Sequence, residues 1–336
     1  MKTTRRCSAL GRFAAPGILA LAMFLSAWPS RPVHSAPAKD AYVFAYFKEP
    51  GDQGIYLALS RDGYHWTPLN DGQPWVKPDK PGELMRDVFL TRGPDDRFRM
   101  VWTWGWHGTS LGYAESPDLL HWSAQKQIPI MQDVPGTSNV WAPETYWDKE
   151  KKEWLIVWSS NVGDPGPGNR IYAALTPDFK TFSKPSVFFD PGYVVIDATI
   201  FHGHGSYYFI FKDQTPDPLR YQIRYATGPT VEGPWSNIHE PITESWSEGP
   251  SAIQVGRKYI VYYDHYRFPR RQYEGVASTD WVHWKSVDDQ ISFPENCKHG
   301  SFLKITEREA DRLTAYHSPA ALSSAPSLLP SPASQR

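Results

Sequence analysis

Five short segments carry the side chains with the most chemistry in this sequence: Arg86-Asp87, Pro143-Glu144, Ile196-Asp197, Glu248-Gly249 and His299-Gly300. Each opens a stretch rich in apolar and β-branched residues. Four bring a carboxylate and the fifth an imidazole. Grouped carboxylates suit acid–base work on a glycosidic bond: an ionised one activates water, and a protonated one gives its proton to the leaving oxygen. Like charges in one pocket raise one another's pKa, so crowding would keep the acid protonated near neutral pH, and a third carboxylate can tune it. Segments this far apart cooperate only if the fold brings their first residues together.

The elements that could do so are strands. AYVFAYF (41–47), FRMVWTW (98–104), EWLIVWS (153–159), SYYFIFK (206–212) and KYIVYYD (258–264) are aromatic and β-branched, as strands prefer. After each comes a shorter alternating segment, then a phrase such as SRDGYHW, SPDLLHW or STDWVHW. These phrases close on Trp66, Trp122, Phe182, Trp235 and Trp284, at spacings of 56, 60, 53 and 49. Four of the five units begin with a further strand: RDVFLTRG (86–93), PETYWDKE (143–150), IDATIFHG (196–203) and EGPSAIQVG (248–256). The first unit lacks one, and the missing piece stands after the fifth as HGSFLKIT (299–306). Repeats of four short strands, with one unit assembled from both chain ends, predict an all-β, five-bladed β-propeller over residues 39–317. The first strand of each blade lines the axis, so the five opening segments would place their side chains at one repeat position around one pocket. Asp40 is a rival carboxylate, but it abuts a presumed cleavage site and would be poorly held.

The motifs in their order resemble those of glycoside hydrolase family 43. Arg86-Asp87 is similar to the family's R-D-P or A-D-P, Trp141-Ala142-Pro143-Glu144 to W-A-P-E, Val195-Ile196-Asp197 to I-D, Glu248-Gly249-Pro250 to E-G-P, and His299-Gly300-Ser301 to H-G-S. The resemblance runs over roughly residues 41–306. It implies a secreted glycosidase acting with inversion on arabinose- or xylose-containing plant saccharides. Asp87 would be the general base, Asp197 the carboxylate that tunes the acid, and Glu248 the general acid. Trp141 and Glu144 would shape the substrate pocket. It requires no cofactor and allows a structural calcium or sodium at the axis, which His299 would approach through water or else forgo by hydrogen-bonding the carboxylates. Two features depart from the pattern. Val88 replaces the Pro after the base, and the base comes one repeat later than in many members. Val88 therefore leaves open a non-hydrolytic carbohydrate-binding propeller. A five-bladed hydrolase acting on another sugar is a further alternative, although the W-M-N-D-P-N-G-type motif of fructan enzymes is missing.

Other residues divide between chemistry and structure. Trp102, Trp104 and Trp106 alternate on one face, so Trp104 or Trp106 stacks on a sugar near Asp87 or packs between blades. The once-per-unit closing aromatics read as structural. His202-Gly203-His204-Gly205 falls where a glycine turn is needed and only superficially looks like a metal pair.

The chain has 336 residues with 35 Lys plus Arg against 36 Asp plus Glu, and 15 Trp, 18 Tyr and 16 Phe. Residues 1–38 hold five basic and no acidic side chains, an apolar stretch from Phe13 to Ala27, and Ala36-Pro37-Ala38. That pattern is a signal peptide for export to the periplasm or beyond, with Thr4-Arg5-Arg6 hinting at the twin-arginine route. Removing it leaves an acidic domain with no membrane segment and no long basic run, which argues against a nucleic-acid partner and leaves an oligo- or polysaccharide. Cys297 is then alone, so no internal disulfide forms. Residues 318–336 are Ser-, Pro- and Ala-rich, the composition of a disordered tail.

Overall fold

The computed structural model describes residues 40–163, 168–269 and 272–316. The proposed signal peptide and the Ser/Pro/Ala tail lie outside the described residues. Five antiparallel sheets account for nearly all the secondary structure. Blade 1 combines Lys298–Thr306, Asp40–Phe47, Tyr56–Ser60 and Thr67–Pro68. Blade 2 holds Arg86–Arg92, Phe98–Thr103, Leu111–Ser116 and Lys126–Ile128, and blade 3 Trp141–Asp148, Glu153–Ser160, Arg170–Thr176 and Ser186–Phe189. Blade 4 holds Val195–Gly203, Ser206–Asp213 and Gln222–Gly228, with only a bridge from Thr227 to Ser236 in place of an outer strand. Blade 5 holds Ser247–Val255, Lys258–His265, Gln272–Ser278 and Lys285–Ser286.

The ring closes as the sequence predicts. Lys298–Thr306 runs antiparallel to Asp40–Phe47, pairing Asp40 with Thr306 and Ala45 with Ser301. Each inner strand also touches the inner strands of both neighbouring blades. Five apolar wedges between adjacent blades make up the core. Each wedge receives one closing aromatic: Trp122, Trp66, Phe182, Trp235 or Trp284. This explains why those aromatics recur once per unit.

The phrase around each closing aromatic builds a turn. In blade 1 the Asp62 carboxylate accepts from the backbone N–H of Tyr64 and His65, Ser60 Oγ accepts from Gly63, and His65 Nδ1 lies 2.7 Å from Asp62. Ser116-x-Asp118-x-x-His121 and Ser278-x-Asp280-x-x-His283 repeat the arrangement. These surface His–Asp pairs are turn staples. His204 and Gly205, with φ of 48° and 73°, form the two-residue hairpin loop between Gly203 and Ser206, and His204 Nε2 lies 3.2 Å from the Thr279 carbonyl oxygen. The His-Gly-His-Gly motif is thus a turn. Beyond the propeller strands a helix runs over Glu307–Ala315, started by the capping box Thr306-x-x-Glu309.

Candidate active site

A bulge near the start of every inner strand positions the site. Pairing jumps three residues on the inner strand against two on its neighbour between Arg86 and Phe89, Trp141 and Glu144, Ile196 and Thr199, and Glu248 and Ser251. The same jump separates Lys298 from Ser301. The extra residue re-aims the side chains around it. Three levels of five positions result. The rim level holds Arg86, Trp141, Ile196, Glu248 and Lys298. The bulge level holds Asp87, Ala142, Asp197, Gly249 and His299. A third level holds Phe89, Glu144, Thr199, Ser251 and Ser301.

The expectation that four carboxylates share one repeat position is therefore corrected. Only Asp87 and Asp197 share a level, together with His299. Glu248 stands one residue earlier, on the rim, and Glu144 two residues later. A bulge hides such offsets from sequence, because it places three residues where the ladder counts two. Val88, where the family pattern has Pro, leaves the backbone at Asp87 undisturbed: Asp87 has φ 50° and Asp197 φ 54°, the same left-handed bulge geometry, and Val88 is buried.

The other two bulge positions, Ala142 and Gly249, are small, and at Gly249 the His299 ring fills the space beside it. A Cβ on Gly249, whose φ is 59°, would lie 2.5 Å from His299 Cγ. Second-strand side chains hold the bulge backbone across blades. Thr103 Oγ1 accepts from Ala142 N at 2.8 Å, Ser159 Oγ from Asp197 N at 3.1 Å, and Asp264 Oδ2 from His299 N at 2.7 Å. In blade 4 the equivalent residue is Lys212, which cannot accept. Gly249 N instead donates to Asp197 Oδ2 at 3.2 Å, and Lys212 Nζ donates to Glu248 Oε2 at 3.0 Å.

Each carboxyl has its own electrostatics. Burial pushes Asp87 up, but hydrogen bonding and charge from His299, the charge of Arg86, and a 2.7 Å hydrogen bond from Thr103 Oγ1 more than offset it, so Asp87 is held below its ordinary pKa. Asp197 goes the other way. Burial, with Glu248 and Asp87 nearby, outweighs His299 and Lys212 and raises it to about 6. Burial also raises Glu144 well above its usual value, and Tyr146 Oη donates to it. Burial opposes the charge of His299, yet Asp197, Asp87 and Asp264 raise its pKa to about 9, with Nδ1 3.4 Å from Asp87 Oδ1. Glu248 departs from the crowding expectation. Burial raises it, but Lys212 and then Lys298, 3.9 Å away, bring it below its usual value. Its side chain is 28% exposed, so of the three proposed catalytic carboxyls it is the one most open to the funnel.

Aromatic rings flank the rim. Trp141 Nε1 donates to the Trp106 carbonyl oxygen, and the two rings meet edge to face. Arg86 is stacked between Phe47 and Trp106, 4.4 and 4.2 Å from the ring centres, and grips Glu49 through two nitrogens. Trp106 is 49% exposed, whereas Trp104 stacks on Trp102 and packs on the core. This favours Trp106 over Trp104 as the sugar platform. Glu144 is buried against Tyr146 and Thr199, and its level equivalents Thr199 and Ser251 line a cavity away from the rim.

A directly ligated cation does not fit this donor set. Among the described residues the imidazole beside these carboxylates is His299, which lies 3.4 Å from Asp87 Oδ1 and whose pKa they raise. Among the described residues no group of three or more His, Cys, Asp or Glu side chains is arranged to hold a metal.

The family model described as "Probable glycosyl hydrolase domain", a relative of glycoside hydrolase family 43, matches residues 38–311. The chain belongs to this family. An alpha-L-arabinofuranosidase of Bifidobacterium longum subsp. longum is 27% identical over a match covering 46% of this chain and 17% of that protein, so the chain spans under a fifth of its length. Among solved structures, an endo-1,4-beta-xylanase of Bacteroides thetaiotaomicron has a TM-score of 0.54 at 14% identity, covering 74% of this chain and 90% of that one. An endo-arabinase of the same species has a TM-score of 0.52 at 11% identity, covering 62% and 81%. These two share the fold.

Within this glycosyl hydrolase fold, Lys212, Asp264, Lys298, Thr103 and Ser159 escaped the sequence reading. A signal for four of them was present: Thr103, Ser159, Lys212 and Asp264 are polar or charged residues closing otherwise apolar segments.

Proposed function

We propose that this chain is an exported glycoside hydrolase that cleaves arabinose- or xylose-containing plant oligo- or polysaccharides with inversion. The observation that carries the reading is the bulge level, which sets Asp87, Asp197 and His299 together beneath Glu248. Asp87, ionised and hydrogen-bonded by Thr103, is the general base that takes a proton from water as it attacks the anomeric carbon. Glu248, the exposed partner of the interacting Asp197–Glu248 pair, passes the pair's proton to the leaving oxygen. His299 keeps Asp87 ionised and supplies positive charge beside it. Trp106 offers a ring face for sugar stacking.

The pH dependence follows. Asp197 and Glu248 interact and so titrate as a pair, and the proton the pair has left to give is the one that Asp197 holds up to about pH 6. Turnover falls as pH rises through that value and falls again at low pH, once Asp87 is protonated below its ordinary pKa. The test is a panel of aryl pentosides and pentose oligosaccharides. Glu248→Gln should slow turnover of natural substrate by at least ~10²-fold, and wild-type-like turnover would remove Glu248 from the role.

A further inference from the structure

A cavity of about 1000 Å³ opens between blades 5 and 1. It meets the proposed catalytic set only at Glu248: Asp87, Asp197, His299 and Trp106 do not line it. If Glu248 gives its proton to the leaving oxygen, a cavity that reaches the site at Glu248 alone lies on the leaving-group side. Its walls suit hydroxyl-rich molecules. Gln53 and Asn296 offer amides, Lys48 and Glu295 offer single charges, and Tyr266 and Phe293 are aromatic. Five carboxylates face three ammonium groups and a guanidinium around it: Glu49, Glu248, Asp264, Asp288 and Glu295 against Lys48 and Lys298, with Lys212 behind Glu248 and Arg86 on Glu49. The single excess carboxylate disfavours an anionic chain.

We propose that this cavity holds the leaving-group side of the substrate as an uncharged glycan of two or more units, while the sugar being released sits over the axis. The inference rests on Glu248 as the acid. It makes the chain an enzyme that trims single sugars from a longer glycan lying across the blade 5–blade 1 boundary.

The experiment compares 4-nitrophenyl α-L-arabinofuranoside and β-D-xyloside with neutral arabino- and xylo-oligosaccharides of two to five units, and with the same chains carrying a uronic acid. kcat/KM should rise as the neutral leaving chain lengthens to two or more units. The exposed double variant Gln53→Ala/Glu295→Ala should lower the ratio of kcat/KM on the oligosaccharide to that on the aryl glycoside about tenfold, as expected for two lost hydrogen bonds. Equal loss on both substrates, no length dependence, or preference for the uronic acid chain would overturn the assignment. Calorimetric titration of Glu248→Gln with the neutral oligosaccharides separates the two readings. Binding weakened tenfold by the double variant, in a protein whose wild type hydrolyses nothing, keeps the groove and removes the hydrolase. Hydrolysis lost in Glu248→Gln with no effect of the double variant does the reverse.

Discussion

Replacing Lys212 by Met keeps much of the side chain's bulk and removes one charge from a position that is 2% exposed and 3.0 Å from Glu248 Oε2. At an effective dielectric of ~20, Coulomb's law gives about 5.5 kcal/mol at that distance. This is an upper bound, because Glu248 is 28% exposed and keeps Lys298 at 3.9 Å. The net worth of a hydrogen bond to a charged group, about 1.5–3 kcal/mol, is the better measure, and at 1.36 kcal/mol per unit it corresponds to about 1–2 pKa units. The sign is fixed: losing the ammonium disfavours the Glu248 carboxylate, so the pair holds its proton to higher pH. The alkaline limb of kcat/KM should move up by that amount while the acidic limb, set by Asp87, stays in place. The assay is a pH–rate profile of wild type and Lys212→Met on one oligosaccharide, with Lys212→Arg to test whether a positive charge restores the wild-type limb. Lower activity at every pH with an unmoved limb would refute the reasoning and leave Lys212 a packing residue between Tyr221 and Tyr266.

Three further outcomes follow from the geometry. Gly249→Ala puts a methyl group 2.5 Å from His299 Cγ at a φ of 59°; it should cost about 1–3 kcal/mol in chemical denaturation and lower kcat, and unchanged values of both would show that the site yields freely. Trp106→Ala should raise KM for glycans with little change in Tm, whereas Trp104→Ala should lower Tm, consistent with its packing on the core; the opposite pattern would return the platform to Trp104. Exhaustive dialysis against a chelator should leave kcat/KM unchanged, because His299 already supplies the axial positive charge, and loss restored by calcium would contradict that role.

Much of the fold was legible because propeller blades repeat. The closing aromatics exposed the register, and the orphan strand at 299–306 announced ring closure. The site was legible only to the nearest residue or two. Asp87, Asp197, Glu248 and His299 do converge, but the bulges split them into levels, and alternation along a strand carries no mark of a bulge. Trp104 and Trp106 were indistinguishable in sequence because both sit at alternating positions, and only packing separates the core ring from the exposed one. The effect of Lys212 on Glu248 was invisible for another reason: the two lie on different blades, 36 residues apart, and crowding of like charges seemed sufficient without a cation. The Thr103, Ser159 and Asp264 contacts likewise join each blade to the next.

The most direct test is the anomer first released by wild-type protein from a defined arabinofuranoside or xyloside, followed by proton NMR before mutarotation. Water activated by Asp87 on the face opposite Glu248 should give the inverted anomer as the initial product. Initial release of the retained anomer would contradict the roles assigned to both carboxylates.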